Sequence, residues 1–461
     1  MEISKKIIIP DWISTRVYNG IDDFIVAYAV NEKTKELVVF EDLTAKIWDL
    51  ILSGSTCSDI YSFAKENDVS DEIEIFLSSV VEFLEGSNNL SSSSEGNSEP
   101  STSKECFSDE NFGEIKSYLN STNKLSALTL ELTYKCNLKC VHCYNDKNDF
   151  SSEISFEDAK KIIDDAYEMG VYSISLTGGE STLNKDFLKI AKYIRSKKIS
   201  LNIFTNTQLL YDDKDFFNEI INLYPHSVCV SLYSMDPDVH DSITGVKNSF
   251  EKTIRVLETL KKNNILTRIN CFVMKSNFEG IDKVYSYAEE NGFSAVFDAR
   301  FVNNESRFNS VLQLTEEQLT SFYMKYFDSE KCFVENEIVD EFYEKRICSA
   351  GIKSSVVTPQ LELIPCNPFK LILGNLNNQS LKSIYYDKDE TTPLNRWRKT
   401  KIADVQGCFK EDYCSFCKYC PAVDCLNSLD FKKIETLCKM AKAKMEVNNR
   451  IKNNEIKKAK I

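Results

Sequence analysis

The sequence predicts an α/β fold: a partial (β/α)6 barrel with a winged-helix-like α+β domain before it and a cysteine-rich domain after it. Three observations lead there. Apolar, strand-like runs alternate with amphipathic segments about six times between residues 125 and 310. The 16 cysteines are concentrated, three of them at positions 136–143 and eight between Cys348 and Cys438. Residues 87–103 are mostly serine, asparagine and glutamate, which reads as a flexible linker that sets the first 86 residues apart.

Composition narrows the class of function. A chain of 461 residues suits two or three domains. The formal charge of −14 argues against a nucleic-acid partner, which needs a basic footprint. No apolar run is long enough to span a membrane, and the N-terminus lacks the apolar core of a signal peptide. Clustered cysteines without an export signal point to metal rather than disulfides, and to a reducing cytoplasm.

Residues 1–86 open with two β-prone runs, 24–30 and 37–40, joined by the polar turn 31–35. A helix follows, with Leu43, Ile47, Trp48 and Ile51 at helical spacing and Gly54 near its end. Two further helices are expected over 58–66 and 71–84. Residues 87–124 form the linker and a bridging segment.

Six strands are expected at 128–133, 173–176, 200–204, 227–232, 267–274 and 295–299. The first intervening helix starts at Ser155 as N-cap and gathers Ala159, Ile162, Ile163, Ala166 and Tyr167 on one face. Phe250, Ile254, Leu257 and Leu260 do the same in the fourth. Strand–helix alternation implies a parallel sheet, and six repeats in so short a stretch imply an open barrel. Functional residues then belong at the C-terminal ends of the strands.

They fall there. Cys136, Cys140 and Cys143 follow the first strand at C-x3-C-x2-C spacing. Three thiolates on one loop can hold three irons of a cubane cluster and leave the fourth iron open to a ligand. The alternative is a structural zinc knuckle with His142 as fourth ligand. Thr177-Gly178-Gly179-Glu180 follows the second strand: glycines that let backbone approach a ligand, and a carboxylate suited to an amine. Thr205 and Asn206 end the third strand, Ser231 ends the fourth, and Arg268 and Asn270 lie on the fifth. No side chain is assigned as catalytic acid or base. His240, in the stretch 231–245, is expected to bond locally rather than to catalyse.

Beyond residue 310 the alternation stops, and 311–347 read as connecting helices. Residues 356–366 read as a tight hairpin that delivers Cys366 close to Cys348. Cys408, Cys414, Cys417, Cys420, Cys425 and Cys438 come after it, and 446–461 read as a charged tail. Two zinc sites are the alternative for this set. Cys57, Cys106, Cys229, Cys271 and Cys332 read as ordinary thiols.

The cysteine loop and the Gly-Gly-Glu motif one strand later resemble those of the radical S-adenosylmethionine (SAM) enzymes. The resemblance implies that the open iron of a [4Fe–4S] cluster chelates SAM. It further implies that His142 lies near the adenine and that Thr177, Gly178, Gly179 and Glu180 bind the methionine amino group. Thr205, Asn206 and Ser231 match positions that contact the SAM carboxylate or ribose, with Arg268 a weaker match. Residues 348–445 resemble the SPASM extension, which carries two auxiliary [4Fe–4S] clusters. Carried over, the first would use Cys348, Cys366 and Cys420, and the second Cys408, Cys414, Cys417 and Cys438. The chain departs from that pattern with Leu361 where glycine is common, with a long Cys408–Cys414 interval, and with Cys425 competing with Cys420. Residues 1–86, with the helix at 44–50, resemble the peptide-recognition domain of peptide-modifying enzymes, where a leader peptide adds a strand to an exposed sheet edge.

Together these resemblances imply a maturase of a ribosomally made precursor peptide. It would bear three clusters, cleave SAM to a 5'-deoxyadenosyl radical, and draw electrons from a flavodoxin or ferredoxin. The expected product is a cysteine thioether of the sactipeptide or ranthipeptide type. Carbon–carbon crosslinking, epimerisation, or sulfatase-maturing oxidation of Cys or Ser are the alternatives.

Overall fold

The structure, a computed structural model, describes residues 5–19, 25–70, 72–86, 124–145, 151–300, 312–326, 338–424 and 428–453. Cys106, Cys332, Cys425 and all but the last residue of the expected linker lie outside the described residues.

The N-terminal part is a three-stranded antiparallel sheet, β1 (Ile13–Asn19), β2 (Ile25–Asn31) and β3 (Glu36–Glu41), in that order. Helices α1 (Asp42–Leu52), α2 (Cys57–Glu66) and α3 (Ile73–Glu85) pack on it. β1 is one strand more than the sequence pattern suggested, because Ser14, Thr15 and Arg16 interrupt its apolar run. All three are buried here, since their polar atoms find partners. Trp48 is fully buried, stacks on Phe40 at 4.6 Å and donates its indole N–H to Thr15.

The barrel strands are β4 (Ala127–Thr133), β5 (Ser173–Gly178), β6 (Ser200–Thr205), β7 (Ser227–Ser231), β8 (Thr267–Phe272) and β9 (Ser294–Asp298). All pair parallel in sequential order, as strand–helix alternation requires. Helices α4 (Phe156–Glu168), α5 (Phe187–Ser196), α6 (Gln208–Asp212), α7 (Lys214–Asn222), α8 (Pro237–Thr244), α9 (Ser249–Lys262) and α10 (Ile281–Asn291) connect them. The Ser155 hydroxyl caps α4 by accepting from the Asp158 N–H. Ala159, Ile162, Ile163 and Ala166 are buried on its inner face. Tyr167 leaves that face: it is 41 % exposed and takes the Arg16 guanidinium over its ring at 3.8 Å.

After α11 (Glu316–Tyr326) and α12 (Asp340–Tyr343), the hairpin β10 (Ser354–Val357) and β11 (Glu362–Ile364) joins the same sheet. β10 pairs parallel with β4, and β12 (Gly374–Asn375) closes the edge, so the nine strands run β12-β11-β10-β4-β5-β6-β7-β8-β9. The hairpin was foreseen; its docking against the first barrel strand was not. Leu361 adopts φ +64°, the left-handed conformation that glycine takes without strain. Its side chain compensates by packing against the core.

Helices α13 (Leu381–Tyr386), α14 (Pro393–Lys399) and α15 (Glu435–Lys452) complete the described chain. α15 carries Cys438 and continues through residues 446–452, with Val447 buried. The first seven residues of the expected charged tail, 446–452, are therefore helical.

The N-terminal module docks on the barrel through the loops that precede β5, β6 and β7. Arg195, 4 % exposed, donates to the Ser14 hydroxyl at 2.6 Å and to the Asp11 carbonyl at 2.7 Å. Glu32, 2 % exposed, accepts from Ser14 and Lys35 and pairs with His226 at 3.0 Å. Tyr18 and Arg16 donate to carbonyls of the α4–β5 turn. These loops lie at the N-terminal ends of the strands, opposite the cysteine loop. No helix among the described residues is long and apolar enough to cross a membrane.

Candidate functional site

The cysteine loop begins where β4 runs out. Leu138, buried, anchors it, and its N–H points at the Cys136 sulfur at 3.4 Å. The end of α8 braces the other side: the Lys139 N–H donates to the Thr244 carbonyl at 2.8 Å and the Val141 N–H to the Ile243 carbonyl at 3.0 Å. Gly245 ends that helix at φ +69°, and a Cβ there would meet the Lys139 carbonyl at 2.9 Å. The stretch 231–245 is therefore scaffold for the loop. His240 sits within it on α8, buried, and its Nδ1 accepts from the Tyr233 N–H.

A cavity of about 420 Å³ opens at the C-terminal ends of the strands, a size suited to a small cofactor. Its wall includes Cys136, Cys140, His142, Cys143, Thr177, Gly178, Gly179, Glu180, Thr205, Asn206, Ser231 and Asn270. Sequence reasoning thus brought together residues from four successive strands and the loop. Arg268 shares a strand face with Asn270, two residues deeper, and is not part of this wall.

Gly178 and Gly179 are held against the cysteine loop. The Gly179 N–H donates to the Thr133 carbonyl at 2.7 Å, and the Glu180 N–H to the Lys135 carbonyl at 2.8 Å. A Cβ on Gly178, at φ +137°, would lie 2.2 Å from the Thr133 oxygen, and one on Gly179 2.4 Å from the Lys135 oxygen. Glu180 is almost fully buried. Its Oε1 accepts from the Thr182 and Thr205 hydroxyls at 2.7 and 2.9 Å, and its Oε2 from the Asn206 N–H at 2.6 Å. Burial raises its carboxyl, and these donors oppose the rise. The Asn206 amide reaches the Cys136 sulfur at 3.5 Å and Asn137 at 2.7 Å. Thr205 and Asn206 therefore orient the carboxylate and the loop as well as lining the cavity.

The three thiols fit an iron–sulfur cluster. Desolvation, with the charges of Glu180 and Cys143, pushes Cys136 up to about 11, and desolvation, with the charges of Cys143 and Cys136, pushes Cys140 up to about 12. Such thiols stay protonated until a cation holds them as thiolates. They lie within electrostatic reach of one another. His142 stacks on Phe272 at 5.0 Å and meets Tyr233 edge-on at 4.7 Å. Burial lowers its imidazole to about 4, so it is neutral, and its Nδ1 has no hydrogen-bond partner among the described residues.

The later cysteines gather in two sets. Cys366 and Cys420 each feel the charge of the other or of Cys348. Cys408 and Cys417 each feel Cys414 and Cys438. Burial raises Cys366 and Cys417 to about 12 and Cys408 to about 11, again thiols that want a cation. Pro368, just after the Cys366 turn, belongs to the cavity wall, so the first set adjoins the site.

Sequence reasoning missed Tyr144, Asn145, Phe272, Asp298, Arg300 and Pro368 in that wall. Asp298 and Arg300 pair at 2.7 Å at the end of β9, where the barrel rule would have placed a functional residue. Cys271, read as an ordinary thiol, is buried but also touches the cavity.

Comparison with known proteins agrees with this geometry. Residues 130–288 match the radical SAM superfamily. The chain is 30% identical over 336 residues to the antilisterial bacteriocin subtilosin biosynthesis protein AlbA of Bacillus subtilis (strain 168), spanning 68% of this chain and 70% of AlbA. Among solved structures, Streptococcus suis SuiB bound to precursor peptide SuiA aligns with a TM-score of 0.54 at 20% identity, over 89% of this chain and 94% of that one. Native anSMEcpe with bound AdoMet and a peptide, Kp18Cys, aligns with a TM-score of 0.55 at 21% identity, over 72% and 99%. At those identities the likeness is one of fold.

Proposed function

The chain belongs to the radical SAM superfamily, and on that premise we propose that it is a maturase that forms cysteine thioethers in a ribosomally made precursor peptide. The observation that carries this reading is that the first cysteine loop and the turn that follows Cys366 border one cavity. The Cys136–Cys140–Cys143 loop forms one side, and the Cys366 turn, through Pro368, forms another. A similar bacteriocin biosynthesis protein and a similar fold crystallised with its precursor peptide support a peptide substrate.

Cys136, Cys140 and Cys143 would hold the cluster that, when bound, supplies reductive cleavage of SAM. Gly178 and Gly179 let the end of β5 close on the cysteine loop, and Glu180 would present a carboxylate to the ligand's amino group. Asn206, Ser231 and the neutral His142 face the remainder. Cys348, Cys366 and Cys420 would hold one auxiliary cluster, and Cys408, Cys414, Cys417 and Cys438 a second. The cavity keeps water from a radical once formed. In sum, a peptide C–H and a peptide thiol become a C–S bond, SAM becomes methionine and 5'-deoxyadenosine, and one proton is released. Residues 1–86 would bind the leader along the outer edge of β3, which among the described residues pairs only with β2. A flavodoxin or ferredoxin would supply the starting electron, in the cytoplasm, and the same electron is recovered when the C–S bond closes, so none is consumed overall.

The test is anaerobic reconstitution with SAM, a reductant and a candidate precursor peptide. The expected result is about twelve irons per chain, 5'-deoxyadenosine, and a peptide that has lost two hydrogens and an alkylatable thiol for each link. A modified peptide with every thiol still alkylatable overturns thioether formation and favours a carbon–carbon link or epimerisation. Conversion of a single Cys or Ser to an aldehyde favours the sulfatase-maturing type.

A further inference from the structure

Glu131 lies on β4 among Leu128, Leu130 and Leu132, and it is fully buried. A buried carboxylate is costly unless its oxygens are satisfied. Here they are satisfied from three segments. Oε1 accepts from the Tyr144 hydroxyl at 3.1 Å and the Asn367 amide at 2.7 Å. Oε2 accepts from the Tyr134 hydroxyl at 2.8 Å and from Lys370 at 3.4 Å. The Lys370 ammonium also stands 5.3 Å from the Tyr134 ring and 5.5 Å from the Tyr144 ring.

The placement of the donors matters. Tyr144 is the residue after Cys143, and Asn367 is the residue after Cys366. One carboxylate oxygen thus joins the last cysteine of the cluster loop to the hairpin cysteine. Tyr144 and Pro368, on the two arms, both belong to the cavity wall. A wholly apolar cluster in place of Glu131 and its donors would be about as stable, so stability alone does not call for a carboxylate here.

We propose that Glu131 is a positioning residue that sets the register of the Cys143 loop against the Cys366 turn, and so the shape of the cavity between them. The proposal rests on the reading that both cysteine sets hold clusters.

The test compares the full-length, anaerobically reconstituted wild type with Glu131→Gln and Asn367→Ala. Three quantities are read: iron per chain, the magnetic interaction between the loop cluster and the first auxiliary cluster by electron paramagnetic resonance, and crosslinked peptide formed per 5'-deoxyadenosine. The expected result is unchanged iron, an altered interaction in both variants, and a several-fold fall in product per 5'-deoxyadenosine while SAM cleavage itself persists. Unchanged interaction and unchanged coupling in both variants overturn the proposal. Loss of iron in Glu131→Gln with Asn367→Ala wholly unaffected assigns Glu131 to folding alone and also overturns it. A wild type with only about four irons overturns the auxiliary-cluster reading, and this proposal with it.

Discussion

At the scale of single residues the site is decided by what is missing as much as by what is present. Gly179 has no Cβ, and one placed there would lie 2.4 and 2.5 Å from the Lys135 and Tyr134 carbonyls. Neither is the end of a flexible side chain, so the backbone itself would have to move. Gly179→Ala is therefore expected to lower 5'-deoxyadenosine formation by about 100-fold, near 2.7 kcal/mol, with the loop cysteines still able to take up iron. Unchanged turnover in that variant would sink the close-approach argument. The cysteines and the Gly-Gly-Glu motif were legible because metal ligation and tight turns demand particular residues at particular spacings. Glu131 and Arg300 were not, because a single charged residue in a strand or at its end has no spacing to betray it.

At the scale of elements the informative piece is the β10–β11 hairpin. Its strands have only four and three residues, yet β10 continues the barrel sheet by pairing with β4. Leu363 on β11 is fully buried beneath it. Leu363→Ala should cost about 2–5 kcal/mol, read as a lower urea midpoint at unchanged slope. It should also impair loading of the Cys366 set more than that of the Cys136 loop. Equal loss at both would mean that the hairpin is not a separate support. The hairpin itself could be seen in the sequence, from its turn between two apolar runs. Its partner could not, because parallel pairing leaves no local mark and β4 lies more than two hundred residues earlier.

At the scale of the whole molecule, the N-terminal module and the cavity stand at opposite ends of the barrel. Glu32 is central to the docking. Burial alone would raise its carboxyl, but His226, Lys35 and Arg195 outweigh that and hold it well below the usual carboxylate range. A carboxyl depressed in the folded state adds stability above its ordinary pKa, and that stability is lost as pH falls toward the folded value. Protection of β1 amides from hydrogen exchange, corrected for intrinsic rates, should therefore decline as pH drops below about 4.3. In Glu32→Gln the decline should vanish from an already weakened interface. The same placement constrains the substrate, if the module binds the leader as proposed. β6 spans six residues, roughly 20 Å of barrel depth. An extended peptide needs at least about six residues to cover that distance. Precursors with shorter spacers between leader and modified residue should be processed poorly, and full-rate processing of one with no spacer would contradict leader binding at this edge.

The sequence by itself determined the alternating strands and helices, the cysteine loop with the motif one strand later, and the concentration of cysteines toward the C-terminal end. Those features follow from local rules: side-chain periodicity, turn chemistry, and the fixed ligand needs of metals. Only the tertiary structure decided that the hairpin extends the barrel sheet, that one buried carboxylate joins two cysteine loops, and that the N-terminal module sits at the end away from the cavity. Each of these depends on pairing or burial between segments distant in the chain. Such contacts are chosen by the competition among all surfaces at once, and no window of sequence contains that competition.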